Sequence, residues 1–302
     1  TVTGEMGELV TAADEYAKDA RLQPADIAQL REWLTKQLHL PQCISDEFLI
    51  AALHSSLYSV EQAKRLLEIN VSCRTNYTEF FSDRDPLATD KQAVWSFVNL
   101  CLSPHLTVDK YRIFYGGLND CNPELFDFPA LVNIFVSVVD TLIWEQGVCP
   151  GYVIVLNCRG VTLGHLTRCN ISLIRNSLHY IQEAICLKMK AIHIINCAPI
   201  IDKIMFVVKP FLKKALLDML YFHYGEEMAD FYKVVPRDLL PHEIGGTSGH
   251  IDQLTKQMRE RVEHRQQTLI DSEKLKIDEK KRTGDKKDIY SVAGHFRTLQ
   301  LD

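Results

Sequence analysis

The sequence predicts an α/β fold, in which a small all-helical N-terminal unit precedes a domain built on a mostly parallel sheet. Three observations predict it. Apolar residues recur at helical spacing from Pro24 to about residue 80, and turn-forming residues interrupt the pattern at 82–86. Beyond Pro104, short β-rich runs alternate with helical stretches, which is typical of strand-helix-strand units.

Three helices are predicted in the N-terminal unit. Pro24 suits the first turn of a helix, and a second helix should follow Ser45. A third should begin at Ser59, because its spacing to Gln62 fits a capping box. The apolar stripe of the first helix consists of Ile27, Leu30 and Leu34.

The second unit should contain the sheet. The run at 131–139 is apolar nearly all round and long for a strand, so it predicts a buried helix. Ile171, Ile174, Leu178 and Ile181 form an apolar stripe on another helix, which should lie half in the core. The predicted strands are 111–118, 152–157 and 191–196, and the predicted helices are 129–144 and 171–185.

The chain becomes strongly charged beyond Gly249. A stripe from Ile251 to Val262 predicts a helix that docks on the domain, with docking ending near Leu269. The mixture of lysines and acids at 273–288 predicts a solvated helix end and a mobile tail. The predicted divisions are therefore 1–85 for the helical unit, 86–250 for the sheet domain and 251–302 for the C-terminal helix and charged tail.

Composition excludes several classes of function. The 34 basic and 39 acidic residues are well mixed, and the net charge is −5, so there is no electrostatic footprint for nucleic acid. The nine cysteines show no zinc-type spacing and are interpreted as reduced thiols. The first twenty residues lack the basic start and apolar run of a signal peptide, so a cytoplasmic protein is expected.

Motifs of catalysis are missing from the sequence. It contains no Gly-x-Gly-x-x-Gly, no Walker phosphate loop, no Gly-x-Ser-x-Gly and no His-Glu-x-x-His. The glycine cluster at 245–249 has no strand before it and is interpreted as a turn. We therefore expect neither an enzyme nor a bound metal or cofactor.

Residues 198–211 are unusually apolar, and they contain a predicted helix between Pro199 and Pro210. Apolar residues at helical spacing most often pack against other helices. The alternative is an apolar helix that covers a pocket or faces a membrane. The residues alone leave both interpretations open.

Several ordered motifs, spread over residues 25–265, together resemble the CRAL-TRIO family, and within it the branch of tocopherol-transfer and retinaldehyde-binding proteins. The motifs that carry the resemblance are 33–53, Ala63-Lys64-Arg65-Leu66-Leu67, 151–157, Gly160-Val161-Thr162-Leu163, His193-Ile194-Ile195-Asn196, Lys209-Pro210-Phe211-Leu212 and 240–246.

The resemblance implies a helical N-terminal unit, a lipid-binding domain with a sheet floor, and a mobile gate helix that closes an apolar pocket. The gate should be 199–211. The implied ligand contacts are Val132, Phe135, Val136, Val139, Tyr152, Ile154, Leu156, Leu163, Tyr180, Ile181, Leu187 and Ile192. The implied gate residues are Ile201, Ile204, Met205, Val208 and Phe211.

Function follows from the resemblance as an expectation. The chain should be a monomer that carries a retinoid, carotenoid or tocopherol-like lipid and touches membranes transiently through the gate. Tyr152 and Tyr180 each bring a hydroxyl that a ligand head group can use, although a buried tyrosine usually finds a backbone partner. The alternatives are a regulatory or scaffold module, acting through the charged segment after Leu269, and a phosphoinositide- or phospholipid-binding carrier.

One departure from the family pattern concerns charge. In the tocopherol-transfer branch, basic residues beside the gate and on the second N-terminal helix bind phosphatidylinositol bisphosphate, and here those positions are Ala215, Met219 and Ser56. The sequence therefore predicts that the basic head-group site is lost. The remaining candidates for head-group contact are Lys209, Lys213 and Lys214.

Overall fold

The structure is a computed structural model, and it describes residues 9–225 and 228–282. The N-terminal unit is helical, as predicted. Ser45 Oγ accepts a hydrogen bond from Phe48 N, and Ser59 Oγ accepts one from Gln62 N, so both residues begin helices. The helices are α1 Ala12–Lys18, α2 Pro24–Lys36, α3 Asp46–Ser55, α4 Val60–Asn76, α5 Thr78–Phe81 and α6 Thr89–Phe97.

A five-stranded sheet forms the centre of the second unit, with the strands in the order β1-β2-β3-β4-β5. The first pair is antiparallel and the other three pairs are parallel, so the sheet is mostly parallel and the predicted fold class is confirmed. The strands are β1 Val98–Leu102, β2 Arg112–Leu118, β3 Tyr152–Asn157, β4 Met189–Cys197 and β5 Leu220–Tyr224.

Helices cover both faces of the sheet. On one face, Ile134, Val138 and Leu142 of α7 pack against Phe114 and Tyr152. The opposite face is covered by the segment from Met228 onward. The helices of this unit are α7 Phe128–Gln146, α8 Leu163–Thr167, α9 Ile171–Glu183, α10 Ile200–Val208, α11 Lys214–Leu217 and α12 Ala229–Val234. Residues on the second face include Ile113, Val155, Ile195, Phe231, Leu240 and Ile244.

The predicted buried helix at 131–139 is α7. Asp127 caps it by accepting a hydrogen bond from Ala130 N, and Gly147 ends it at a positive φ of 66°. Within residues 9–225 and 228–282, α7 is the one helix long and apolar enough to cross a membrane by composition. Because 72% of its most apolar 18-residue stretch is buried inside the fold, α7 is interpreted as a core helix.

A buried ionic network joins the helical unit to α7. Arg74 Nη2 donates to Asp140 Oδ1 at 2.7 Å, and Arg84 Nη1 donates to Asp140 Oδ2 at 2.6 Å. Burial acts to raise the pKa of Asp140, but the two guanidinium groups hold it below its usual value. Removing one partner would leave a buried charge uncompensated, which typically costs about 3–5 kcal/mol.

The C-terminal segment contradicts one prediction. After α13 Ile251–His264 and α14 Gln266–Asp271, the chain stays packed, with Ser272 and Ile277 buried. Docking therefore does not end near Leu269 but continues at least to Ile277. The remainder of the predicted tail, 283–302, lies outside the described residues.

Candidate ligand cavity

An apolar cavity of about 450 Å³ lies between the sheet and the helices α7, α9 and α10. Ligand sites in proteins commonly measure about 300–1,000 Å³. No charged side chain lines it among the residues that the structure describes. The lining of the cavity therefore matches an apolar, uncharged molecule better than a charged one.

Strand geometry places the floor of the cavity. Side chains alternate between the two faces of a strand, so Ile154 and Leu156 of β3 point to the same side. Phe114 of β2 and Ile192 of β4 join them from the neighbouring strands. Val155, between the two β3 residues, packs on the opposite face.

The structure brings eight of the implied ligand contacts together around this cavity. They come from α7, β3, α9, the segment before β4, and β4 itself. The eight are Val132, Phe135, Ile154, Leu156, Tyr180, Ile181, Leu187 and Ile192. Their contact with a ligand stays a prediction.

Four other implied contacts lie elsewhere. Val136 and Val139 follow Val132 by one and two helical turns on α7, and they are buried against the N-terminal helical unit. Tyr152 is buried beside a separate void of about 10 Å³, which is room for about one water molecule. Leu163 begins α8 and is 48% exposed.

The predicted gate segment forms α10 followed by a 3₁₀ turn, Lys209–Phe211. Ile204 lines the cavity. Ile201 is buried against side chains of β4, and Met205 packs against the same side chains. Val208 and Phe211 are half-buried. Both interpretations of the run thus apply, since α10 packs on the sheet and also covers the cavity.

The far end of the gate segment is fastened to α9. Gln182 Nε2 donates to the carbonyl of Phe211 at 3.0 Å, and Gln182 Oε1 accepts from Lys213 N at 2.6 Å. Lys213 also pairs with Glu183. Gln182 therefore forms hydrogen bonds with the backbone on both sides of Leu212, the residue that follows the 3₁₀ turn.

A second, more open groove of about 700 Å³ lies beside the cavity, between the helical unit and the start of β4. Three basic side chains line it: Arg65, Lys188 and Lys190. Burial lowers the pKa of Lys188, and the positive charge of Lys190 lowers it further. The residues that line both spaces, and so separate them, are Ile181, Ile185, Leu187 and Met189.

The expectation that the basic head-group site is lost stays a prediction, although this groove brings three basic side chains together. Ser56 and Met219, two of the positions where charge is missing, line the groove, but the lysines on either side of Met189 supply positive charge to it. The sequence analysis did not single out Lys188-Met189-Lys190, whose alternation puts both lysines on one side of an extended chain.

The three lysines proposed earlier for head-group contact do not line the groove. Lys209 is exposed on the 3₁₀ turn. Lys213 pairs with Glu183, and Lys214 pairs with Asp218 at 2.7 Å. Their contact with a head group stays a prediction without support from this arrangement.

One cysteine-histidine pair lies at contact distance, as in enzymes with a cysteine nucleophile. Cys73 Sγ lies 3.6 Å from His179 Nδ1, but burial raises the pKa of Cys73 to about 12, so its thiol stays protonated. A protonated, buried thiol is a poor nucleophile. Across the described ranges, 9–225 and 228–282, no group of three or more His, Cys, Asp or Glu side chains is placed to hold a metal.

Comparison with known protein families decides the family. Residues 19–91 match the Pinta-like UBA domain, and residues 100–246 match the CRAL/TRIO domain. The chain is a CRAL/TRIO-domain protein. This confirms the family predicted from the sequence. CRAL/TRIO proteins are lipid-binding carriers, and small hydrophobic lipids are their ligands.

Two of three curated relatives of this CRAL/TRIO protein match most of its length. "Alpha-tocopherol transfer protein-like" of Homo sapiens is 25% identical over 251 residues, which is 82% of this chain and 72% of that protein. Its Mus musculus counterpart is 25% identical over 248 residues, 81% and 71% of the two chains. Clavesin-1 of Xenopus laevis is 22% identical over 121 residues, 40% and 36% of the two chains.

A solved structure is also similar to this CRAL/TRIO protein. The crystal structure of Sfh5 aligns with a TM-score of 0.48 at 10% sequence identity, covering 71% of this chain and 77% of that one.

Proposed function

We propose that this protein binds one small hydrophobic lipid, of the retinoid, carotenoid or tocopherol class, and carries it between membranes as a cytoplasmic monomer. The observation that carries the proposal is the uncharged cavity of about 450 Å³, with α10 as one wall. The names of the tocopherol-transfer-like relatives support the choice of ligand class.

The cavity supplies the driving force for binding. Removing apolar surface from water is worth about 25 cal/mol per Å². A ligand that buries a few hundred Å² would therefore gain several kcal/mol before the cost of its lost motion. No step of chemistry on the ligand is needed.

The gate helix supplies the route. Phe206 on α10 is 84% exposed, which is unusual for an aromatic side chain on a helix whose other face is buried. An apolar side chain projecting from the wall of the cavity can enter the surface of a bilayer. Contact there would pull α10 away from the sheet and open the cavity toward the lipid phase.

Filling the cavity should weaken binding. We expect Ile154→Trp to weaken binding of all-trans-retinol and of α-tocopherol at least tenfold, because the indole would occupy the floor of the cavity. Binding is measured by fluorescence titration, together with mass spectrometry of lipid extracted from the purified protein. Leu163→Trp is the matched control, because Leu163 is exposed and does not line the cavity.

Two results would oppose carriage of such a lipid. One is a wild-type protein that neither retains an extractable lipid nor binds any member of a broad panel. The other is Ile154→Trp binding as tightly as Leu163→Trp, with both variants folded by circular dichroism.

A second candidate function is binding of anionic phosphoinositide head groups. The groove with Arg65, Lys188 and Lys190 favours it, since three cations converge there beside the wall of the cavity. Glu183 lines the same groove and opposes this positive charge, although it also pairs with Lys213. The distinguishing property is a dependence of lipid transfer on phosphoinositides in the membrane.

A further inference from the structure

The cavity contains few groups that can hydrogen-bond to a ligand. Within the described residues, the lining includes the polar side chains of Asn157, Ser177 and Tyr180, and otherwise it is apolar apart from sulfur atoms and backbone. Burial raises the pKa of the lining thiol Cys158 to about 12, so this thiol is neutral and a weak donor. Selection between lipids of similar shape therefore depends on these three side chains.

Two of them are already engaged. Asn157 Nδ2 donates to the hydroxyl of Tyr115 at 2.8 Å. Its Oδ1 accepts from Asn196 Nδ2 at 2.9 Å and from Arg159 N at 3.0 Å. Ser177 Oγ donates its proton to the carbonyl of Ile174 at 2.9 Å.

Tyr180 differs from both. Its side chain is 1% exposed, and its ring packs edge-on against Phe81 with centroids 5.1 Å apart. Within residues 9–225 and 228–282, no protein group hydrogen-bonds to its hydroxyl, and the hydroxyl oxygen is not fully enclosed by protein. Burial raises the pKa of Tyr180 far above its usual value, and the charge of Asp140 raises it further, so the hydroxyl keeps its proton.

A ligand in the cavity would displace water from this hydroxyl. Leaving the donor without a partner would then cost about 1–3 kcal/mol, because the group would have lost its hydrogen bonds to water. A ligand that presents an oxygen to Tyr180 would recover that free energy. A pure hydrocarbon of the same shape would not.

We propose that Tyr180 is the residue that selects the ligand, and that the ligand is an uncharged lipid with one hydrogen-bonding oxygen, as a hydroxyl, aldehyde or ketone, at the α9 end of the cavity. This rests on the proposed function and narrows its ligand class. An ionised head group is disfavoured, because it would lose its hydration and no charged side chain in the described lining could pair with it.

The test compares two probes of nearly equal shape. All-trans-retinol carries a hydroxymethyl group, and its hydrocarbon analogue carries a methyl group at the same position. We expect wild-type protein to bind retinol about tenfold more tightly, which is the selectivity of about 1.4 kcal/mol that one recovered hydrogen bond provides. Tyr180→Phe removes only the hydroxyl, so it should bind both probes equally.

Tyr152→Phe is the matched control. Tyr152 is equally buried, but it lies beside the separate small void and does not line the cavity. This variant should keep the tenfold preference for retinol. Affinities are measured by quenching of protein fluorescence during titration with each probe.

The outcomes separate the two proposals. If wild-type protein binds neither probe and no other lipid of a broad panel, carriage of a lipid is wrong. If wild-type protein binds both probes and Tyr180→Phe keeps the preference for retinol, the role of Tyr180 is overturned while carriage stands. If wild-type protein binds both probes equally, Tyr180 selects nothing and the inference is again overturned.

Discussion

At the scale of single residues, the sequence could predict the kind of side chain in the site but not its direction. Phe135 and Val136 are neighbours on α7, yet Phe135 reaches the cavity and Val136 packs on the helical unit. Because α7 is apolar nearly all round, no polar face fixes its rotation about the helix axis. The same limit applied to the two tyrosines, of which Tyr180 lines the cavity and Tyr152 does not.

One buried residue, His193, leads to a prediction about how the stability of the fold depends on pH. His193 on β4 is 1% exposed, and its Nδ1 lies 2.9 Å from Nε2 of His223. The ring stacks on Tyr221, and its own Nε2 is buried without a partner in the described chain. Burial and, to a smaller extent, the neighbouring His223 together lower the pKa of His193 to about 4.

Stability should therefore fall in acid. Between about pH 6.5 and pH 4 the unfolded chain binds a proton at this histidine and the folded chain does not, so the free energy of unfolding decreases as the pH falls through this range. Between pH 7 and pH 5, we expect the free energy of unfolding of His193→Gln to fall by about 1–2 kcal/mol less than that of wild type. Urea unfolding at the two pH values measures the difference.

The control for this prediction is His105→Gln, because His105 is exposed in the loop between β1 and β2. Its unfolding free energy should follow wild type at both pH values. A His193→Gln variant with the same pH dependence as wild type would contradict the assignment of a depressed pKa.

At the scale of elements, the central strands were predictable and the edge strands were not. β2, β3 and β4 lie within two residues of their predicted positions, since each is a β-rich run flanked by turns or helices. β1 was missed because it follows α6 directly, with no turn residues between them. β5 was missed because it is a short edge strand with only half-buried or exposed residues.

The gate helix carries a prediction about transfer. We expect Phe206→Asp to slow transfer of retinol between vesicles at least fivefold, because a carboxylate in place of the exposed ring opposes entry of α10 into the bilayer. Retinol affinity in solution should stay unchanged, since Phe206 does not line the cavity. The rate of retinol transfer from donor to acceptor vesicles is measured by fluorescence energy transfer.

Two matched variants sharpen this experiment. Val108→Asp places the same charge at a residue that is 98% exposed in the β1–β2 loop, and its transfer rate should equal that of wild type. Lys190→Glu should slow transfer only when the vesicles contain phosphoinositides, if the groove binds their head groups. Equal rates for Phe206→Asp and wild type would refute the membrane role of α10.

At the scale of the whole molecule, the C-terminal segment closes the structure onto its N-terminal unit. Arg84 Nη1 donates to Ser272 Oγ at 2.6 Å, Ile277 N donates to Thr75 Oγ1 at 2.8 Å, and Arg282 pairs with Glu68. The sequence could not reveal this, because charges that pair with distant residues look the same as charges in solvent. A deletion of residues 270–302 would therefore disturb the fold as well as remove the charged segment.

The contribution of this segment can be measured with two truncated chains. One lacks residues 283–302, and the other lacks residues 272–302. The shorter chain loses the partner of Arg84 at Ser272 and the buried side chain of Ile277. We expect its free energy of unfolding to be lower by about 3 kcal/mol. A buried isoleucine contributes about 1.5–3 kcal/mol, and the hydrogen bond to a charged group adds to that contribution. Denaturant unfolding of both chains gives the difference, and coincident unfolding curves would show that the segment from Ser272 to Arg282 does not stabilise the fold.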